Sequence, residues 1–431
     1  MMMSTTVLLL LLLAGGSVFV AAVLGILGTV LAQVFSTFPL VRALGEMAWG
    51  SSADFILVAV PMFILMGELL LRSGVTDNMF TALDRWVGHI PGGLMHTNVA
   101  ASAVFAATSG SSIATAATIG TISIPNMERY GYKAPMFLGT IAAGGTLGIL
   151  IPPSINMVLY GAMSETSVSE LYLAATLPGL LLALVFSIYV YIACKINPSL
   201  APHGVRASWA VRLAALVHLL PPLMLFLLVV GSIYAGLATA TEASALGVVG
   251  CLALVIARGR LSVDMLLKSF EGTVRTTAMV MAIVIAAYFL NFVLSTLGLT
   301  DAAVKWVAQL QWSPHAILLC IVLLYIVLGC FVESLTLMVA TTPIVVPIIQ
   351  NLGFSPIWFG VVFVILIETA LITPPIGMNL FVVQSVRKGG PFRDVVLGSL
   401  PFVGLMFLLI LLLIAFPSIA LWLPSVFSAR A

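Results

Sequence analysis

The chain has 431 residues, of which 61% are hydrophobic and 7% charged, and its formal net charge is +2. A soluble domain carries about 25% charged residues, so a water-soluble globular protein is excluded and the lipid bilayer is the implied surroundings. No basic run is dense enough to suggest nucleic acid, and Cys194, Cys251, Cys320 and Cys330 sit in apolar segments without a CxxC pair, leaving no disulfide framework or thiolate metal site in view.

The N-terminus, MMMSTTVLLLLLLAGG, has an apolar core but neither a positive flank nor a small-x-small cleavage site. The apolar run predicts a first membrane helix over 7–32 rather than a signal peptide. Further spans, of 17 to 29 residues where a bilayer requires about 20, are predicted at 53–72, 134–162, 171–193, 214–235, 241–257, 276–296, 356–384 and 395–421. Residues 93–128 and 315–350 are too long for one span and are broken midway by Thr108-Ser109-Gly110-Ser111-Ser112 and Glu333-Ser334-Leu335-Thr336. Two legs of about 16 residues reach about 24 Å at 1.5 Å per residue, so both segments read as re-entrant helical hairpins. Glu242, in TATEASALG, reads as the first turn of a helix capped by Thr239 or Thr241. His96 and His218 read as packing or interface residues.

One motif occurs twice, 222 residues apart. ATAATIGTISIPNMERYGY and GGTLGILIPPSIN (114–132 and 144–156) correspond to VATTPIVVPIIQNLGF and ETALITPPIGMN (339–354 and 368–379). Pro125 matches Pro347, Gly131 matches Gly353, and Pro152-Pro153 matches Pro374-Pro375. Upstream, Gly74-Val75-Thr76-Asp77 resembles Gly298-Leu299-Thr300-Asp301. The chain thus divides into 1–52, a first helix and connection; 53–162, the core of the first repeat; 163–275, intervening helices; 276–384, the core of the second repeat; and 385–431, a C-terminal helix. With the N-terminus in the cytoplasm, 14 of the 17 lysines and arginines fall inside, and only Arg42, Lys305 and Arg430 outside, as the positive-inside rule requires. Five spans separate the hairpins. The hairpins therefore enter from opposite faces, the copies form an inverted repeat, and the C-terminus is outside.

Such broken, duplicated segments point to a carrier's binding site. Inside a bilayer, non-helical backbone is tolerated only against protein or a wet cavity, and each Pro-Pro pair removes two N–H donors. Free carbonyls with the hydroxyls of Thr146, Ser154, Thr369 and Thr373 suit a small hard cation. Free N–H ends and the amides of Asn156 and Asn379 suit a carboxylate. Intramembrane acids are functional by default; Glu333 and Glu368, at the second tip and second break, are the better ligand candidates, while Asp54, Glu68 and Glu242 lie in or near spans. No Arg or Lys falls near a predicted tip or break, which favours cation-coupled uptake over an arginine-clamped anion carrier.

The segments SGSSIATAATIG, GTLGILIPPS, ATEASALG and ETALITPPIGMNLFV together resemble the large membrane subunit of tripartite ATP-independent periplasmic (TRAP) transporters, the DctM-like family, over essentially the whole chain. The departure is Ala240, where that family usually has proline. The resemblance implies an all-α, inverted-repeat, elevator-type transporter whose hairpins and broken helices slide across a scaffold of the other helices. It implies no enzyme activity and no cofactor, sodium as coupling ion, and an organic acid as cargo, such as a C4-dicarboxylate or sugar acid. It further implies a periplasmic binding protein, a separate small four-helix membrane subunit, and a place in the bacterial inner membrane. On this sequence, the first cation site would involve Ser109, Gly110, Ser111 and Ser112 with Gly145 and Thr146. The second would involve Glu333, Ser334 and Thr336 with Glu368, Thr369 and Thr373. The substrate would lie near Pro153, Ser154, Asn156, Pro375 and Asn379. The competing readings are a stand-alone cation-coupled carrier of the same architecture, a channel, and an intramembrane serine protease using Ser111 with His96.

Overall fold

A computed structural model describes residues 19–202, 204 and 206–428. Every regular element among them is helical. The first helix, α1 (Val20–Phe35), covers the latter part of the predicted first span, whose residues 7–18 lie outside the described ones. A short α2 (Leu44–Ser52) follows, then a turn in which the Asp54 carboxylate accepts the Ile56 N–H at 2.9 Å, then α3 (Ala59–Arg72). The predicted span 53–72 therefore begins its helix later than expected, because Asp54 holds the chain in a turn.

The first repeat continues through α4 (Val75–Val87), which bends 71° from α3, and then α5 (Leu94–Ser109) and α6 (Ser112–Tyr130), the legs of the first hairpin. Next come α7 (Ala134–Leu150) and α8 (Ile155–Ser164), the halves of the first broken helix, bent by 42°. The second repeat has the same order. The long α14 (Val263–Thr296) leads to α15 (Leu299–Gln309), the hairpin α16 (Pro314–Gly329) and α17 (Ser334–Asn351), and the broken pair α18 (Pro356–Ala370) and α19 (Met378–Arg387). Gly74 (φ 71°) and Gly298 (φ 70°) open α4 and α15 in the left-handed region that favours glycine. Pro152-Pro153 and Pro374-Pro375 are both cis. Between and after the repeats lie α9 (Val168–Ile196), α10 (Trp209–Ala215), α11 (Leu220–Phe226), α12 (Ser232–Tyr234), α13 (Ala240–Ala257), α20 (Phe392–Ala415) and α21 (Ser418–Ser428).

Three expectations change. The span at 214–235 is a chain of short segments bent by 46°, because Pro221-Pro222 interrupts it and its end widens into a π turn over 227–231. The span at 395–421 is two helices, with Phe416-Pro417 between them. The span at 276–296 is the latter part of α14, so the boundary at residue 275 falls inside a helix. The start of α13 is as expected: Thr239 caps it reciprocally with Glu242, whose carboxylate accepts the Thr239 N–H at 2.8 Å. A helix forms there with alanine, not proline, as its first residue.

Burial locates the core. Every residue of α7 from Met136 to Leu150 and of α18 from Trp358 to Ala370 is buried. A helix buried on all sides lies in the interior of a protein, so these two first halves form the centre. Hairpin legs α5 and α6 lie on α7, and α20 covers its far side. A second group joins α1, α2 and α3 to α14, and α13 to α3.

The contact between α7 and α20 is backbone on backbone. A Cβ on Gly398 would run into the Pro135 carbonyl, and one on Gly139 into the Gly398 carbonyl. Gly404, on the same helix as Gly398, has nothing within 4 Å of its Cβ position. Gly398→Ala should therefore destabilise the protein by about 1–3 kcal/mol, whereas Gly404→Ala should stay within about 0.5 kcal/mol of the parent. Thermal unfolding in detergent reads the difference, and equal midpoints would refute the contact.

Candidate functional site

The two hairpin tips meet at one cleft. Its volume is about 200 Å³, and it is lined by Ser109–Ala114 of the first tip, Glu333–Leu335 of the second, and Ile155 and Asn156 after the first break. The opposite wall comes from α3, with Gly67 and Glu68, and from α14, with Thr276 and Met279.

Local sequence explains each tip. Gly110 takes φ 60° to end α5, and Ser111 caps α6 by accepting the Ala114 N–H at 3.3 Å. At the second tip Glu333 caps α17, accepting the Thr336 N–H and hydroxyl at 3.0 Å each and the Ser334 hydroxyl at 3.1 Å. Ser154 caps α8, accepting the Met157 N–H at 3.4 Å. The N-terminal ends of α6, α8 and α17 therefore all open on the same cleft. Each helix start carries roughly half a positive charge; at α17 the Glu333 carboxylate offsets it, while the α6 and α8 starts, capped by neutral serines, face a cleft lined by no Lys or Arg. Asn156 adds a donor: it is 2% exposed, lines the cleft, and its Nδ2 has no hydrogen-bond partner.

Tips and breaks touch directly. A Cβ on Gly110 would come 3.0 Å from the Pro153 carbonyl oxygen, and one on Gly148 would come 2.5 Å from the Ser111 carbonyl oxygen. In the second repeat, a Cβ on Gly329 would meet the Ala370 side chain at 2.5 Å. Glycine is required where backbone meets backbone this closely.

Behind the first tip a buried node joins the repeats. The Ser112 hydroxyl donates to Glu368 Oε2 at 2.8 Å, with the Gly145 carbonyl at 3.0 Å as its alternative acceptor, and accepts from Asn379 Nδ2 at 2.8 Å. Glu368 and Asn379 are fully buried, yet Glu368 Oε1 and Asn379 Oδ1 have no donor. Buried oxygens ordinarily have partners. Two orphan acceptors on residues sharing one serine fit a small cation better than they fit an anion.

The predicted residues thus separate. Ser109, Gly110, Ser111, Ser112, Glu333, Ser334 and Asn156 line the cleft. Gly145, Glu368 and Asn379 meet at the node, and Pro153 stands against Gly110. Thr146 and Thr369 donate to the Ala143 and Ile365 carbonyls, with Thr146 also beside Met406, and Thr373 donates to Thr369 O. Pro375 is exposed and lies outside the cleft lining. Ser111 and His96 sit at opposite ends of α5, about 20 Å apart along the helix, which removes the protease reading. His96 instead pairs with the Pro91 carbonyl at 2.8 Å.

Sequence reasoning left Glu68 out of the site. It faces the cleft, seated where a Cβ on Gly272 would collide with its carboxylate. Arg72 Nη1 lies 2.9 Å from its Oε2, at an angle that leaves that oxygen without a hydrogen bond. An arginine therefore does approach the cleft, through Glu68. The signal was an acid within a predicted span, one turn before an arginine.

Residues 5–419 match the family described as tripartite ATP-independent periplasmic transporter, DctM component. The chain is 37% identical over 407 residues to the C4-dicarboxylate TRAP transporter large permease protein DctM of Pseudomonas aeruginosa, covering 93% of each. It is 33% identical to the sialic acid TRAP transporter large permease protein SiaM of Vibrio cholerae, covering 88% of each. Its fold is similar to that of the YdaH transporter of Alcanivorax borkumensis, with a TM-score of 0.66 over 94% of this chain and 97% of that one at 15% identity.

Ser112→Ala should cost about 1–3 kcal/mol, because it strips a donor from a buried carboxylate. Combined with Glu368→Gln in a double-mutant cycle, it should show a coupling of about 0.5–3 kcal/mol. Additive effects on unfolding would mean that the node does not join the repeats.

Proposed function

The chain belongs to the DctM-component family of tripartite ATP-independent periplasmic transporters, as a large permease subunit and not an enzyme, and from that premise we propose that it performs sodium-coupled uptake of an organic acid by an elevator motion. The observation that carries the anionic cargo is the convergence of the serine-capped N-termini of α6 and α8 and the unpaired Asn156 amide on one cleft. Relatives that carry a C4-dicarboxylate and sialic acid show that the family's cargoes include different carboxylates. The cargo here is a carboxylate of that kind.

Sodium coupling is supported by oxygen chemistry. Carbonyls and hydroxyls of the tips and breaks are hard ligands, and the orphan Glu368 and Asn379 oxygens mark a position where a monovalent cation would complete the node. The cation neutralises charge inside the protein, so a carboxylate can enter without an arginine clamp.

The elevator reading is supported by the two packing groups. Hairpins, broken helices and α20 form one, and α1, α2, α3, α13 and α14 the other. They meet where α3 lies on α5 and α8 and where α14 lies on α17, and at Gly67 no side chain stands against the Ser109 backbone. The 14-to-3 distribution of basic residues supports a cytoplasmic N-terminus, a periplasmic C-terminus and hairpins entering from opposite faces in the inner membrane. A periplasmic binding protein delivers the cargo and a separate small membrane subunit docks on the stationary group.

Proteoliposome uptake with both partner proteins tests this. Glu368→Gln and Asn379→Ala should each raise the sodium concentration for half-maximal uptake about tenfold, equivalent to about 1.4 kcal/mol of lost ligation. Unchanged sodium dependence in both would overturn the cation sites. Equal uptake by the chain without its binding protein would overturn the tripartite delivery.

A further inference from the structure

A second cavity, of about 250 Å³, lies at the base of the first hairpin, about 24 Å along α5 from the tip. His89, Pro91 and Gly92 form one side. Lys195 at the end of α9 and the loop through Pro198, Ala201 and Gly204 form the other. The loop is pinned there: a Cβ on Gly204 would collide with the Gly88 carbonyl, and the Lys133 N–H donates to the Leu200 carbonyl at 3.1 Å.

Behind His89 stands Arg212, 5% exposed. Buried charges are ordinarily paired. The ion pairs among the described residues are Glu68–Arg72, Asp264–Lys268 and Asp394–Arg387, so no carboxylate pairs with Arg212. Its Nη2 donates to His89 Nδ1 at 3.2 Å, its guanidinium lies 5.4 Å from the Trp209 ring centre, and its Nε has no partner. Because arginine only donates, His89 Nδ1 must accept, which leaves the His89 hydrogen on Nε2. Burial first, then Arg212 and Arg206, lower the His89 pKa. His89 therefore stays a neutral donor, and Arg206 is exposed at the cavity's edge, two residues beyond Gly204 of its lining. The nearest acid in sequence, Asp84, accepts from the Thr97 hydroxyl at 3.4 Å instead.

The surroundings are those of a membrane interface. Leu180, Leu184, Ile188, Ile192 and Ile196 recur at every fourth position of α9 and are all exposed, an apolar stripe that ends beside Lys195. Trp86 and Trp209 pair edge to face at 6.3 Å, and Trp86 Nε1 donates to the Arg212 carbonyl at 3.0 Å. Tryptophans gather at the headgroup level, and basic pockets at that level take anionic headgroups.

We propose that Lys195, His89 and Arg206, backed by the unpaired Arg212, bind the phosphodiester of an anionic phospholipid, whose acyl chains lie along the α9 stripe. The site holds the base of the first hairpin, α9 and α10 to one lipid.

Titration of the delipidated full chain with phosphatidylglycerol or phosphatidylcholine, followed by native mass spectrometry, tests this. Phosphatidylglycerol should bind preferentially, and Arg206→Gln and Lys195→Gln should each weaken it about fivefold, the equivalent of about 1 kcal/mol per charge near the surface. Both residues are exposed, so the test survives if Arg212→Gln does not fold. Equal binding of the two lipids, or binding unchanged in both variants, would overturn the site. Displacement of phosphatidylglycerol by millimolar inorganic phosphate would assign the pocket to a soluble anion and overturn the lipid. Loss of lipid binding when the small membrane subunit is added would make this face a protein interface and overturn it equally.

Discussion

Everything in this molecule depends on keeping interrupted backbone satisfied inside a bilayer. Water is not available there to pair an N–H or C=O, yet the chain breaks its helices at Ile151–Ser154 and Leu371–Gly377 and turns back at Gly110 and at Cys330–Glu333. The solution is mutual burial. Gly110 meets the Pro153 carbonyl, Gly148 meets the Ser111 carbonyl, and Gly329 meets Ala370. Each break is packed against the tip of its own repeat, and the remaining ends are capped by Ser111, Ser154 and Glu333. A cleft follows from this packing. Helix starts brought together to bury their irregular backbone also bring together their unpaired donors.

The same constraint explains why the sequence disclosed so much. A Pro-Pro pair or a Gly-Ser run has few structural meanings within an apolar segment, and finding each twice at one spacing narrows them further. The hairpins predicted at 93–128 and 315–350 correspond to legs running from Leu94 to Tyr130 and from Pro314 to Asn351. What escaped is physically different. The helices α4 and α15 are amphipathic, and α4 turns 71° from α3, so a search for continuous apolar runs passes over them; the Gly-x-Thr-Asp match at 74–77 and 298–301 was their only trace. Pro221-Pro222 escaped because it lies between the repeats, with no second copy to mark it. Side-chain direction also escaped. Thr146 and Thr369 sit at the expected breaks, but their hydroxyls bond helix carbonyls one turn back, a choice set by packing against neighbours such as Met406.

The cleft and the node divide two kinds of chemistry that spacing alone had mixed. Asn156 and Asn379 occupy similar places after their proline pairs, yet one amide lines the cleft with a free donor and the other is sealed behind the first tip. Glu68 belongs to neither repeat's tip or break. It comes from the wall on α3, where Gly272 makes room for it. Only the packing of the two helix groups brings it opposite the serines.

Symmetry is broken where the chemistry requires it. Thr146 and Glu368 are 222 residues apart, the spacing of the proline pairs, and so occupy the same position of the repeat. Thr146 turns to its own helix, while Glu368 reaches across to Ser112 in the other repeat. The tips differ likewise: the first is capped by a serine hydroxyl and the second by a carboxylate. Two identical halves would present two equal sites and no reason for a cation and an anion to occupy different ones. Placing the acid in one copy and the hydroxyl in the other ties the halves together through a buried hydrogen bond. It also leaves the orphan oxygens of that node separate from the donors of the cleft, so residues drawn from both repeats form two places of different chemistry.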